Sequence, residues 1–239
     1  MASNRRIPAA QTLSARWARF QRKVERRDRA EYDSIEPHHF RWLEVYHGSD
    51  IKPSRLFFSM RDLLFRRFKL DNRFPRDWHA LVRWGTLTQS FMNAVQDHAR
   101  QLQLPILYIG ALKPFDLTVF AALRFGDAEF TRRSRSAVPV HYLGIDDRWM
   151  QVCFDSLLPK HTSKQFSHPM RPIEREHFKF VQEMLPDLEE LVGPRSFEIL
   201  KSGHYIPFEA VSGTGYFNES FHPRLLAHLK RASAPFARK

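Results

Sequence analysis

Residues 138–154 read Val-Pro-Val-His-Tyr-Leu-Gly-Ile-Asp-Asp-Arg-Trp-Met-Gln-Val-Cys-Phe, and the way this stretch folds decides the class of the whole chain. Val138 to Leu143 and Trp149 to Phe154 each have the length and apolar content of a strand. Gly144-Ile145-Asp146-Asp147 between them has the composition of a hairpin loop. The stretch therefore predicts two antiparallel neighbours, which places an antiparallel or mixed sheet in the second half of the chain.

Working back toward the N-terminus, Ile106 to Ile109 after Pro105 is a short apolar run of strand type, while Asp116 to Phe125 fits either helix or strand. Leu87, Phe91, Val95, His98 and Leu102 recur at helical spacing after Gly85, and His98 on that stripe reads as a hydrogen-bonded core histidine. Pro53 and Ser54 open a further helix whose buried stripe is Phe57, Met60, Leu64 and Phe68; Asp71-Asn72 and Pro75 end it. Trp42 to Tyr46 is a short apolar segment. Leu13, Trp17, Phe20 and Val24 share one face of a helix over residues 12–31.

Working forward, residues 159–172 read as a loop and 173–192 as an acidic amphipathic helix interrupted at Pro186. Phe197 to Leu200 and Tyr205 to Val211 predict a second strand pair around Gly203. Gly213-Thr214-Gly215 is a turn, and a last helix covers about 223–231. The expected class is α+β, with a helical N-terminal half followed by a small antiparallel or mixed sheet with interspersed helices. Residues 1–32 form a basic amphipathic arm, 33–231 a single domain, and 232–239 a basic tail.

A chain of 239 residues with 43% hydrophobic residues and 21 phenylalanines has enough apolar surface for a packed core. No apolar run approaches the roughly 20 residues a membrane span needs. Cys153 is the only cysteine, which excludes an internal disulfide and a multi-cysteine zinc site. It also suits a reducing compartment, so the expected location is cytoplasmic. Arginine outnumbers lysine 28 to 10, a bias that fits a GC-rich, bacterial gene as well as phosphate recognition.

The net charge of +12 is uneven. Residues 1–30 carry a net +7 and 201–239 a net +4, whereas 171–200 carry −3. One internal stretch, 55–76, holds Arg55, Arg61, Arg66, Arg67, Lys69, Arg73 and Arg76 against only Asp62 and Asp71. Such concentrations of guanidinium neutralise phosphates, and the interleaved Phe74, Trp78 and Trp84 are of a type that stacks on bases. The leading expectation is a nucleic-acid-binding protein, for DNA or RNA, using Arg16, Arg19, Arg22, Arg66, Arg67, Arg73 and Arg76. Arg132 and Arg133 in the basic loop Thr131–Ser136 are further candidates. No helix-turn-helix, zinc-finger or RNA-recognition signature accompanies them.

Two other classes compete. His141, Asp146, His161 and His168 supply the imidazoles and carboxylate of a metal- or acid-base-dependent hydrolase of nuclease type. Their spacing matches no established motif, and Asp146-Asp147 is equally a plain turn. Asp33, Glu36, His38 and His39 are ligand-type residues at a helix exit, although a solvated turn explains them, so no metal site is assigned and no cofactor is identified. Lastly, the stripe Leu13-Trp17-Phe20-Val24 fits a protein partner's groove.

Overall fold

Arg55–Ser59, Arg-Leu-Phe-Phe-Ser, is apolar at consecutive positions rather than at every second one. In the computed structural model it is a strand buried on both faces. The structure describes residues 44–47, 52–61, 64, 65, 68, 72–83, 89–125, 138–152, 166–208 and 221–237. Within them, β1 (Glu44–His47), β2 (Arg55–Ser59), β3 (Trp78–Val82), β4 (Ile106–Ile109) and β5 (Val140–Tyr142) form one sheet. Their order is β1-β3-β2-β4-β5. β2, β3, β4 and β5 are mutually parallel, and β1 runs antiparallel to β3 at one edge.

The helices are α1 (Gln89–Leu102), α2 (Pro114–Phe125), α3 (Asp147–Met150), α4 (Pro172–Met184), α5 (Leu188–Val192), α6 (Pro194–Lys201) and α7 (Phe221–Ser233), the last followed by a 3-10 turn at Ala234–Phe236. A second, two-stranded sheet pairs β6 (His168–Pro169) antiparallel with β7 (His204–Tyr205). Among the described residues no helix is long and apolar enough to cross a membrane.

This is a parallel α/β arrangement, which corrects the α+β expectation. The helix predicted from the Phe57, Met60, Leu64 and Phe68 spacing is instead strand β2 over 55–59, and among the described residues after it Leu64, Phe65 and Phe68 are helical. An unbroken apolar run satisfies a helical stripe and a two-faced strand equally, and burial on both sides of the sheet selects the strand. The hairpin predicted over 138–154 does not form. β5 pairs parallel with β4, and the chain then turns into α3. Asp146 brings this about as the N-cap of α3, its Oδ1 accepting the Trp149 N–H at 2.7 Å. Asp147 satisfies the first turn of α6 from outside that helix, whose N-cap residue is Gly193, by accepting the N–H groups of Arg195 and Ser196 and the Ser196 hydroxyl. Gly193 has φ 86°, and a Cβ there would lie 2.4 Å from the Asp147 carboxyl carbon, so that cap needs glycine. The second predicted strand pair is likewise replaced: 194–201 is α6, and among the described residues of the second segment the strand is His204–Tyr205.

Register places the side chains. Ala80, Phe57, Leu107 and His141 lie side by side on one face, and Leu81, Phe58, Tyr108 and Tyr142 on the other. On the first face Phe57 meets Phe65 and Trp78, and His141 stacks on Phe236 with ring centres 4.0 Å apart. On the second face Tyr108 and Tyr142 pack against Phe120 of α2. α1 joins this layer through Gln96, whose side-chain N–H donates to the Leu123 carbonyl. His98, expected to be a satisfied core histidine, lies 3.0 Å from the His79 ring.

Candidate functional site at the carboxyl edge of the sheet

From β2 the chain enters β3 on one side and later β4 on the other, so the strand order reverses between β2 and β4. In open parallel sheets such a reversal leaves a crevice outside the carboxyl ends of the two strands, where ligands bind. Ser59 holds the three strand ends together there. Its hydroxyl donates to the Ile109 carbonyl at 2.8 Å and accepts the Arg61 N–H at 3.1 Å, and its own carbonyl accepts the Arg83 N–H at 3.1 Å.

Two arginines leave this corner. Arg61 follows β2 and is half-buried, and its guanidinium is near enough to the Tyr108 hydroxyl to act on it electrostatically. Arg83 follows β3 and is buried to 2% exposure. A guanidinium is retained at that depth only with acceptors around it. Below them Tyr108 is fully buried, and its hydroxyl has no hydrogen-bond partner among the described residues. Burial, and then the carboxylate of Asp116, push the Tyr108 pKa well above the ordinary tyrosine range, so the hydroxyl stays a protonated donor. Asp116, in the first turn of α2, accepts the Ala111 N–H at 2.7 Å and so shapes the turn leaving β4. Gly110 and Gly144 close the floor. A Cβ on Gly144 would fall 2.3 Å from the Gly110 carbonyl oxygen, and one on Gly110 would fall 2.5 Å from the Tyr108 ring. The edge thus holds two guanidiniums, groups suited to a phosphate or other oxyanion, above a buried phenol, while the proton of the Ser59 hydroxyl is already given to Ile109.

The residues singled out from sequence are scattered by comparison. Arg73 and Arg76 are exposed in the segment that enters β3, at the amino edge of the sheet. Because β2 and β3 are parallel, that is the edge opposite Arg61 and Arg83. Arg55, at the start of β2, is paired there with Asp77, which also accepts the Ser54 hydroxyl at 2.6 Å. Arg16, Arg19, Arg22, Arg66, Arg67, Arg132 and Arg133 lie outside the described residues, as do His161, Cys153, the Asp33 to His39 group and the helix expected over 12–31.

His141 and Asp146 do face one cavity, outside β5, with His228 and Trp149 in its wall. Burial, and then the charge of Arg124, lower the His141 pKa; burial, and then Arg231 and Arg148, lower that of His228. Burial raises Asp146, against the opposing hydrogen bond from Trp149. His168 is elsewhere, exposed on β6 and stacked on Tyr205. No group of three histidine, cysteine or carboxylate side chains placed to hold a metal occurs among the described residues. Asp146 is engaged as a helix cap and His141 against Phe236, so the geometry gives both a structural role.

Ser59, Tyr108 and Asp116 are not among the residues the sequence singles out, because the sheet decides their setting: a helix opened by Pro53 and Ser54 does not make Ser59 a strand end, and Tyr108 is one apolar residue in a run. The recoverable signal was the unbroken Leu-Phe-Phe run closed by Ser-Met-Arg. Comparison with known protein families and with curated proteins finds no match for this chain.

Proposed function

We propose that the protein binds nucleic acid and that a phosphate is held at the carboxyl edge of the sheet by Arg61, whose backbone Ser59 fixes, with Arg83 behind it. The observation that supports this most is the placement of two arginines at the carboxyl ends of adjacent parallel strands, beside the reversal of strand order. The chain's net +12 adds long-range attraction for a polyanion. The exposed Arg73 and Arg76 at the amino edge steer but do not share this site.

The test is fluorescence anisotropy with single-stranded DNA, duplex DNA and RNA oligonucleotides across a salt series. Binding should weaken steeply with salt, because each neutralised phosphate releases a counterion. Arg61→Gln should weaken binding about tenfold while the fold, followed by circular dichroism, is kept. The double change Arg73→Gln with Arg76→Gln should weaken it less. No affinity for any of the three at low salt rules the proposal out, and full affinity in Arg61→Gln removes the phosphate from this edge.

A further inference from the structure

Among the described residues β5 ends the sheet, and its outer side is not paired to another strand. The Pro139 carbonyl and the Leu143 N–H bond to β4, so by the alternation of a parallel ladder the N–H and C=O groups of Val140 and Tyr142 point away from it. Among the described residues these outward groups have no backbone partner. Val140 and Tyr142 line a cavity of about 1340 Å³, together with residues of α2, α4 and α5 and of the C-terminal helix with its 3-10 turn. That exceeds the roughly 300–1,000 Å³ of small-molecule sites and leaves room for an extended chain.

Among the described residues, Asp146, Asp147, Glu183, Asp187 and Glu190 line the groove, against Arg124 and Arg148. Arg124 is itself paired with Asp187 at 2.8 Å. A protein of net +12 therefore carries a locally acidic groove beside a strand with unused hydrogen-bonding groups.

We infer that this groove receives an extended basic peptide from a partner protein, which adds a strand to the outer edge of β5. Main-chain hydrogen bonds to Val140 and Tyr142 supply affinity, and the carboxylates select lysine or arginine on the incoming strand. This site is separate from the carboxyl edge, so either assignment stands or falls without the other.

The probe is a fluorescent eight-residue peptide alternating valine and lysine, titrated into the full chain. It is compared with a valine-glutamate peptide and with a valine-lysine peptide methylated at alternate backbone nitrogens. The valine-lysine peptide should bind saturably and at least tenfold tighter than either control. Glu183→Lys with Glu190→Lys, both exposed positions, should weaken it at least tenfold without changing the circular dichroism spectrum. Equal binding of acidic and basic peptides, or no effect of methylation, overturns strand addition. Unchanged affinity in the charge-reversed variant removes the groove as the site. Sedimentation showing a dimer that the peptide does not dissociate and that blocks its binding assigns the edge to a second copy instead.

Discussion

The carboxyl edge of β2, β3 and β4 and the groove outside β5 belong to the same sheet, yet they carry opposite charge and are held by different means. At the carboxyl edge Ser59 ties three strand ends through hydrogen bonds, and arginines supply the charge. Outside β5 an aromatic wall holds the shape: Trp149 meets Phe208 and His228 edge-on and donates its indole N–H to the Leu143 carbonyl. Carboxylates supply the charge there, and two of them satisfy the first turns of helices. A strongly basic sequence thus places guanidiniums at one edge of a sheet and carboxylates along the adjacent flank. Net charge describes the whole chain and says nothing of either site.

The contrast is sharpest where packing is removed. Trp149, 1% exposed, should cost about 3–5 kcal/mol when changed to Ala, because the cavity left in the groove wall cannot fully collapse. Denaturant unfolding measures this, and a loss under about 1 kcal/mol would break the view that aromatic packing holds this flank. The matching change at the carboxyl edge, Ser59→Ala, should cost about 1–3 kcal/mol, since it leaves the Ile109 carbonyl and the Arg61 N–H short of a buried partner. If it proves the more damaging of the two, the hydrogen-bonded clamp outweighs the aromatic wall and the comparison is reversed.

The smallest effect is one of pH. His141 and His228, both in the groove wall, are held below the ordinary histidine range by burial and neighbouring arginines. Unfolding restores each to its ordinary value of about 6.5, so the unfolded chain binds protons first. Their contribution is complete above about pH 6.5 and is lost as pH falls through their lowered values. Asp146 is raised, so its contribution runs the other way: full below its ordinary value, 3.8, and lost as pH rises through its raised one. Between pH 7.5 and 5.5 the histidines outnumber it. The melting temperature should fall over that range. His228→Phe should flatten the fall, whereas a variant as pH-sensitive as the parent would place the sensitivity outside the groove.

Several elements were legible in the residues alone. Strand β4, helix α1, and the acidic pair α4 and α5 broken near Pro186 follow from apolar spacing and breakers, because each is set by which side chains are local neighbours. The presence of a basic chain with a packed aromatic core was equally plain, since composition bounds both. What composition and spacing left undecided was the direction of pairing. Phe57 and Phe58 are compatible with a helix until a sheet buries both faces. Val138 to Phe154 is compatible with a hairpin until β5 takes β4 as a parallel neighbour and Asp146 and Asp147 satisfy the first turns of helices. Those choices depend on partners far apart in the chain, Ser59 with Ile109 and Asp147 with Ser196, which local sequence does not encode. The same holds for charge: the sequence determined how much there is, and only the tertiary structure decided that Arg61 and Arg83 share one edge while Arg73 and Arg76 lie at the other.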